Sequence, residues 1–90
     1  MARFHLIISN KAEDDILALD PVIRDRITRK LRFFISQENP LRFAERLTEA
    51  IVGHYRFRVG DYRVLFYLQP NGVITILLIL RVKHRRDAYD

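Results

Sequence analysis

Arginine side chains recur in the segment from residue 54 to residue 64, where they alternate with apolar residues. A Gly-Asp pair at positions 60 and 61 separates two alternating runs, which predicts a β-hairpin with a two-residue turn. That turn sets the strand register and places Arg58 directly opposite Arg63. Because strand side chains alternate with a period of two, Arg56, Arg58 and Arg63 share one face of the sheet, opposite the core.

This cluster of like charges predicts a site for an anion. Like charges placed directly across two strands are destabilising, so the pair formed by Arg58 and Arg63 indicates a ligand between them. The guanidinium fork matches phosphate with two parallel hydrogen bonds, which makes phosphate the obvious candidate. The alternative is that arginine on an open sheet face only blocks edge pairing and keeps the protein soluble.

A second basic segment closes the chain. It contains Arg81, Lys83, His84, Arg85, Arg86 and Tyr89. An imidazole can give or take a proton near neutral pH, which makes His84 the best acid or base among these side chains. Tyr89 offers an aromatic face to a base or a hydroxyl to a phosphate. A histidine near a chain end is usually an ordinary surface residue, so this prediction depends on its neighbours.

Charge and composition agree with a polyanion as the partner. The 90-residue chain has a formal net charge of +5, and residues 51–90 carry seven Lys or Arg against three Asp or Glu. Such a field favours nucleic acid or an acidic protein. No cysteine is present, which excludes a disulfide framework and a thiolate metal site. No cofactor is expected, and the apolar runs are too short to cross a bilayer.

The elements needed to position these residues are readable from periodicity. The first expected elements are a strand at residues 4–8, a short helix after Ser9-Asn10, and a helix from Pro21 with Asp20 as N-cap. A three-stranded meander follows from residue 51, with a turn at residues 70–72 and a last strand at 73–82. Residues 41–50 fit either a short helix or a packed loop. The prediction is one α+β domain over residues 1–90, with two layers in the order β-α-α-β-β-β and an antiparallel helical hairpin packed on a mainly antiparallel twisted sheet.

Two motifs in this order resemble the RelE/ParE superfamily of toxin–antitoxin toxins. The first is Tyr-Arg-Phe-Arg-Val-Gly-Asp-Tyr-Arg-Val at 55–64, and the second is Val-Lys-His-Arg-Arg-Asp-Ala-Tyr at 82–89. The resemblance covers essentially the whole chain and is closest to the RelE-like branch. It implies a cytoplasmic toxin of a type II system, an endoribonuclease that enters the A site of the 70S ribosome and cuts mRNA by attack of a 2′-hydroxyl on the adjacent phosphate.

The resemblance also implies roles for individual residues. Arg63 matches the arginine that binds the scissile phosphate, Arg85 matches a second catalytic arginine, and Tyr89 matches a tyrosine that orients the substrate. Arg56 and Arg58 stand where the best-studied members carry lysine, and arginine cannot act as a base because it stays protonated. Proton transfer then falls to His84, Tyr89 or the ribosome. A docking role on ribosomal RNA is expected for the remaining cations, Arg81, Lys83 and Arg86.

Two other functions stay open from the sequence. The ParE-like branch shares the fold and poisons DNA gyrase, and a degenerate member would act only as an antitoxin-binding module. The expected partners are a cognate antitoxin, the 70S ribosome and mRNA, with no membrane and no small-molecule cofactor.

Overall fold

The computed structural model describes residues 3–47 and 54–87 of the chain. The elements are β1 (Phe4–Ile8), α1 (Asn10–Leu17), α2 (Pro21–Ile35), a 3₁₀ helix (Pro40–Phe43), β2 (Ala44–Arg46), β3 (His54–Val59), β4 (Tyr62–Asn71), β5 (Ile74–His84) and a second 3₁₀ helix (Arg85–Asp87). None of the helices in these described ranges is long and apolar enough to span a membrane.

The five strands form one sheet in the order β1-β5-β4-β3-β2, in which β1 and β5 are parallel and the other neighbours are antiparallel. The predicted α+β architecture of helices on a mainly antiparallel sheet is confirmed. Two details of the prediction are wrong. In the ambiguous segment 41–50, residues 41–43 belong to a 3₁₀ helix, but Ala44–Arg46 form a fourth antiparallel strand, β2, and residues 48–50 lie outside the described ones. The second hairpin turns at residues 72–73, because Asn71 still pairs with Ile74 and Gly72 has the positive φ of 66° that glycine adopts without strain.

The core lies between the helices and one face of the sheet. Phe34 of α2 stacks on Phe57 with ring centroids 4.2 Å apart, and Phe57 stacks on Phe66 of β4 at 4.5 Å. Ile27 and Leu31 extend this contact along α2. Each such fully buried side chain stabilises the fold by roughly 1.5–3 kcal/mol. This stack fixes which face of the β3–β4 hairpin points to the core, and therefore which face carries its arginines.

Ser9 joins the first strand, the first helix and the sheet. It is the N-cap of α1, since its hydroxyl accepts a hydrogen bond from Ala12 N at 3.1 Å. The same hydroxyl donates to Leu80 O at 3.2 Å, and Ser9 N donates to Ile79 O at 3.0 Å. The start of α1 is thereby held against β5 at the point where β1 ends.

A β-bulge interrupts the long last strand. Phe66 of β4 pairs with Ile79, whereas the preceding residue, Leu65, pairs with Arg81, so Leu80 has no partner across the pair. Strict alternation from the buried Ile79 would point Arg81 into the core. The extra residue turns Arg81 outward and brings Val82 into the core instead, with 4% of its surface exposed.

Candidate phosphate-binding site

The predicted hairpin register is confirmed. Arg58 pairs with Arg63, and the turn residue Gly60 has a φ of 58°, the positive value that a two-residue hairpin needs at this position. On the other side of Arg63 lies Lys83 of β5. Three cations thus stand in a row across β3, β4 and β5, and Arg56 lies on the same face two residues before Arg58.

A carboxylate that the sequence did not reveal stands in this basic face. Glu45 of β2 pairs with Arg56, and its Oε1 accepts hydrogen bonds from Arg56 Nε at 2.9 Å and from Arg58 Nε at 3.1 Å. The hydrogen bond from Arg56, with the positive charge of Arg58, holds the pKa of Glu45 below its ordinary value. Because one carboxylate is shared by two guanidinium groups, the cluster stays net positive while it contains one proton acceptor.

The guanidinium of Arg63 is anchored at the hairpin turn. Arg63 is buried, with 7% of its surface exposed, and its Nη1 donates to Gly60 O at 3.1 Å and to Tyr62 O at 3.0 Å. Within residues 3–47 and 54–87, no hydrogen bond is made by its Nε or Nη2. These two nitrogens form one edge of the guanidinium fork, which suits two oxygens of a phosphate.

Two further arginines converge on the same turn from other elements. Arg85, at the start of the second 3₁₀ helix, donates its backbone N–H to Asp61 O at 2.7 Å, and its Nε lies 3.9 Å from Asp61 Oδ1. Arg26 of α2 reaches the turn from the helical layer, since its Nη1 lies 3.3 Å from where a Cβ on Gly60 would be. The structure therefore brings Arg63 and Arg85 to one turn, and adds Arg26 of α2, which lies outside both sequence motifs.

The structure does not bring His84 together with Arg63. His84 pairs with Tyr62, and the two rings are in edge contact with centroids 5.2 Å apart, on the face of the sheet that packs against the helices. Arg63 points to the opposite face. The imidazole Nδ1 of His84 accepts a hydrogen bond from Arg86 N at 3.3 Å. Tyr89, predicted to complete this region, lies outside the described residues.

The three predicted docking cations have different environments. Arg81 donates from Nε to Asp15 Oδ2 at 2.8 Å and from Nη2 to Asp15 Oδ1 at 3.0 Å, and Val82 N also donates to Oδ2 at 2.8 Å. The guanidinium of Arg81 is therefore bound to a carboxylate of α1. Arg86 is exposed on the second 3₁₀ helix, and Lys83 lies beside Arg63.

The structural relatives have the same fold over nearly the whole chain. The toxin–antitoxin complex RelBE2 of Mycobacterium tuberculosis contains a chain with 29% identity, a TM-score of 0.77, and coverage of 92% of this chain and 99% of that chain. The archaeal RelE–RelB complex of Pyrococcus horikoshii gives 23% identity, a TM-score of 0.71, and coverage of 96% and 99%. The YoeB/ParE toxin of Agrobacterium tumefaciens gives 16% identity, a TM-score of 0.66, and coverage of 89% and 97%. No curated protein sequence matches the chain significantly.

A family model described as the ParE toxin of the type II toxin–antitoxin system, parDE, matches residues 6–89. This match covers the hairpin, the turn and the basic end of the chain. The chain therefore belongs to the ParE toxin family of type II toxin–antitoxin systems, within the RelE/ParE superfamily.

Proposed function

We propose that this toxin is a ribosome-dependent endoribonuclease that cuts mRNA in the A site, with the scissile phosphate bound beside the turn at residues 60–61. The observation that carries the proposal is the convergence of Arg63 and Arg85 on that turn from separate elements. Two arginines held at one turn can both close on a phosphate that becomes more negative during the reaction.

Arg63 has the geometry of a group that stabilises the transition state. Attack of the 2′ oxygen on phosphorus gives a dianionic phosphorane, and the unused Nε and Nη2 of Arg63 are donors for its oxygens. The two backbone carbonyls at Nη1 hold the guanidinium in place before the substrate arrives, so little reorganisation is needed. A preorganised donor of this kind lowers the activation free energy by about 2–4 kcal/mol.

Glu45 is the proton acceptor that best fits this face. Arginine cannot take the proton from the 2′-hydroxyl, whereas the carboxylate of Glu45 can, and the same ion pairs that keep it ionised also make it a weaker base. The proton for the departing 5′ oxygen is proposed to come from His84, Tyr89 or the ribosome, the three sources that the sequence leaves open. His84 would have to act around the end of β5, since its ring lies on the other face of the sheet.

The ribosome and the antitoxin are the proposed partners in the cytoplasm. Lys83 and Arg86 are the better docking cations for ribosomal RNA, because Arg81 would have to give up its two hydrogen bonds to Asp15. Since chains of similar fold are found in complexes with antitoxins, an antitoxin segment is proposed to cover the basic face. Such a segment would be acidic, and its affinity would fall steeply with salt where it meets Arg56, Arg58 and Arg63.

Inhibition of DNA gyrase is the second candidate, because the family model that matches the chain is that of the ParE toxin. The two functions differ in target and are separated by assaying both with one preparation. Intact translated mRNA together with loss of gyrase supercoiling would move the assignment to gyrase.

The central experiment is single-turnover cleavage of mRNA on programmed ribosomes by the wild type, Arg63→Ala and Arg85→Ala. Each substitution is expected to lower the cleavage rate on the order of a hundredfold with ribosome affinity nearly unchanged. Arg32→Ala is the matched control, since Arg32 is exposed on α2 and is not one of the arginines at the turn. An Arg63→Ala protein that cuts at the wild-type rate would refute the proposed site.

A further inference from the structure

The outward side of α2 carries cations and exposed aromatic rings that the proposed active site does not use. Arg26, Arg29, Lys30 and Phe33 line a hollow of about 300 Å³. Lys30 Nζ lies 5.6 Å from the centroid of the Phe33 ring. Phe33 is 46% exposed.

A second hollow adjoins the first. It has a volume of about 530 Å³, and Arg42 and Phe43 are among its lining residues. Phe43 is 43% exposed, and its ring meets that of Phe33 edge to face with centroids 5.5 Å apart. We call the six residues of the two hollows that carry a positive charge or an aromatic ring the α2 surface: Arg26, Arg29, Lys30, Phe33, Arg42 and Phe43.

We propose that the α2 surface binds single-stranded RNA, with its cations on phosphates and Phe33 stacked on a base. Exposed aromatic rings between cations are the combination by which proteins hold single strands without reading their sequence. Four cations face two carboxylates here, Glu38 in the second hollow and Asp25, which pairs with Arg29 at 2.7 Å. That pair is 70% and 64% exposed, so it competes weakly with a phosphate.

Continuity with the candidate site favours RNA over an acidic protein segment as the ligand. Arg26 belongs to the α2 surface and also approaches Gly60, at the turn that holds Arg63 and Arg85. Phe33 lies seven residues further along α2, which is about 10 Å along the helix axis. A strand bound at the turn can therefore pass around the end of the hairpin to Arg26 and continue along α2. This inference rests on the proposed function, since it extends the path of the same RNA.

The test is the affinity of the protein for a fluorescein-labelled oligouridylate of roughly 12 nucleotides, which spans a typical single-strand site. The double variant Arg29→Gln/Lys30→Gln is expected to bind at least about tenfold more weakly at low salt. Its slope of log affinity against log salt should fall by about 1.4, which is the value for two lost phosphate contacts on a single strand. Arg32→Gln removes a charge from another side of the same helix and should bind nearly as the wild type.

Phe33→Leu separates stacking from general apolar contact, because leucine is apolar but has no π face. Stacking predicts a loss of roughly fivefold or more in affinity, with an unchanged salt slope. Wild-type RNA affinity in Phe33→Leu would overturn the proposal, as would an equal loss in Arg32→Gln. Retained RNA affinity with weakened binding of an acidic antitoxin segment in these variants would also overturn it. Unchanged thermal unfolding confirms that each variant is folded.

Cleavage assays with the same variants separate this inference from the proposed function. If the wild type does not cut mRNA but the α2 variants bind RNA more weakly, the RNA-binding surface is supported and the nuclease activity is refuted. If the wild type cuts mRNA and every α2 variant keeps its RNA affinity, the nuclease activity is supported and the RNA-binding surface is refuted.

Discussion

Two clusters of arginine and carboxylate lie at opposite edges of the basic end of the sheet, and they use the same chemistry differently. At the β5 edge, both oxygens of Asp15 accept from Arg81, and one also accepts from Val82 N. At the β2 edge, a single oxygen of Glu45 accepts from both Arg56 and Arg58. The first cluster has one charge of each sign, and the second has an excess of positive charge.

This difference indicates a structural role for the first cluster and a functional role for the second. Asp15 is only 17% exposed and covers the backbone edge of β5 beyond the end of β1, so its hydrogen bonds hold α1 on the sheet. Glu45 is 43% exposed and leaves guanidinium nitrogens of Arg56 and Arg58 available to an anion. We therefore expect substitution of Asp15 to change mainly stability, and substitution of Glu45 to change mainly RNA binding and cleavage.

The largest expected effect comes from Glu45→Gln, which removes the base and keeps the side-chain shape. We expect the rate of single-turnover mRNA cleavage to fall on the order of a hundredfold or more. RNA affinity should rise, because the two arginines lose their competing anion. Lower affinity at an unchanged rate would show that Glu45 only orders the arginines. Arg46→Gln, next to it on β2 and exposed, is the control.

Asp15→Asn should instead act on stability. Asparagine can still accept from Val82 N but no longer pairs with the charge of Arg81, so we expect the free energy of unfolding to fall by about 1–3 kcal/mol. In a domain of this size that lowers Tm by about 4–8 °C per kcal/mol. The rate of mRNA cleavage by the folded protein should not change. Loss of cleavage without loss of stability would contradict the structural role of this cluster.

Low pH should remove the contribution of Asp15 to the free energy of unfolding. The hydrogen bond from Arg81 is the main cause that lowers the pKa of Asp15 in the folded protein below the ordinary 3.8. A carboxyl group whose pKa is lower in the folded than in the unfolded protein stabilises the fold at pH values above its unfolded-state pKa. This contribution is lost as the pH falls through its folded-state pKa. The difference in unfolding free energy between the wild type and Asp15→Asn should therefore be constant above about pH 5 and shrink below about pH 4. Urea denaturation at each pH measures this difference, and one that persists at low pH would contradict it.

The smallest expected effect belongs to the pair of Asp61 and Arg85 at the hairpin turn. Its nitrogen and oxygen are 3.9 Å apart, and the side chains are 66% and 63% exposed. Pairs of this kind contribute about 0–1 kcal/mol, so Asp61→Asn should leave urea denaturation almost unchanged. A loss as large as that of Asp15→Asn would show that charge matching, rather than burial and backbone contact, governs these clusters.

The family and much of the fold were predictable from the sequence, since the helix and strand periods and the two arginine motifs are local signals. β2 was not predictable, because three residues are too few to show a period and its pairing with β3 depends on contacts distant in the chain. For the same reason Glu45 was missed as part of the basic face. The roles assigned to Arg63, Arg85, His84 and Tyr89 remain predictions.

The sequence by itself determined the hairpin register and the shared face of Arg56, Arg58 and Arg63. A two-residue turn and strict alternation leave no freedom there. Only the tertiary structure decided which side chains point to each face of the sheet at the end of β5. The bulge at Leu80 places Lys83, rather than Val82, opposite Arg63, because burying Val82 beneath the helices requires one extra residue in the strand. No local pattern encodes that shift, since it arises where α1 replaces β1 as the neighbour of β5.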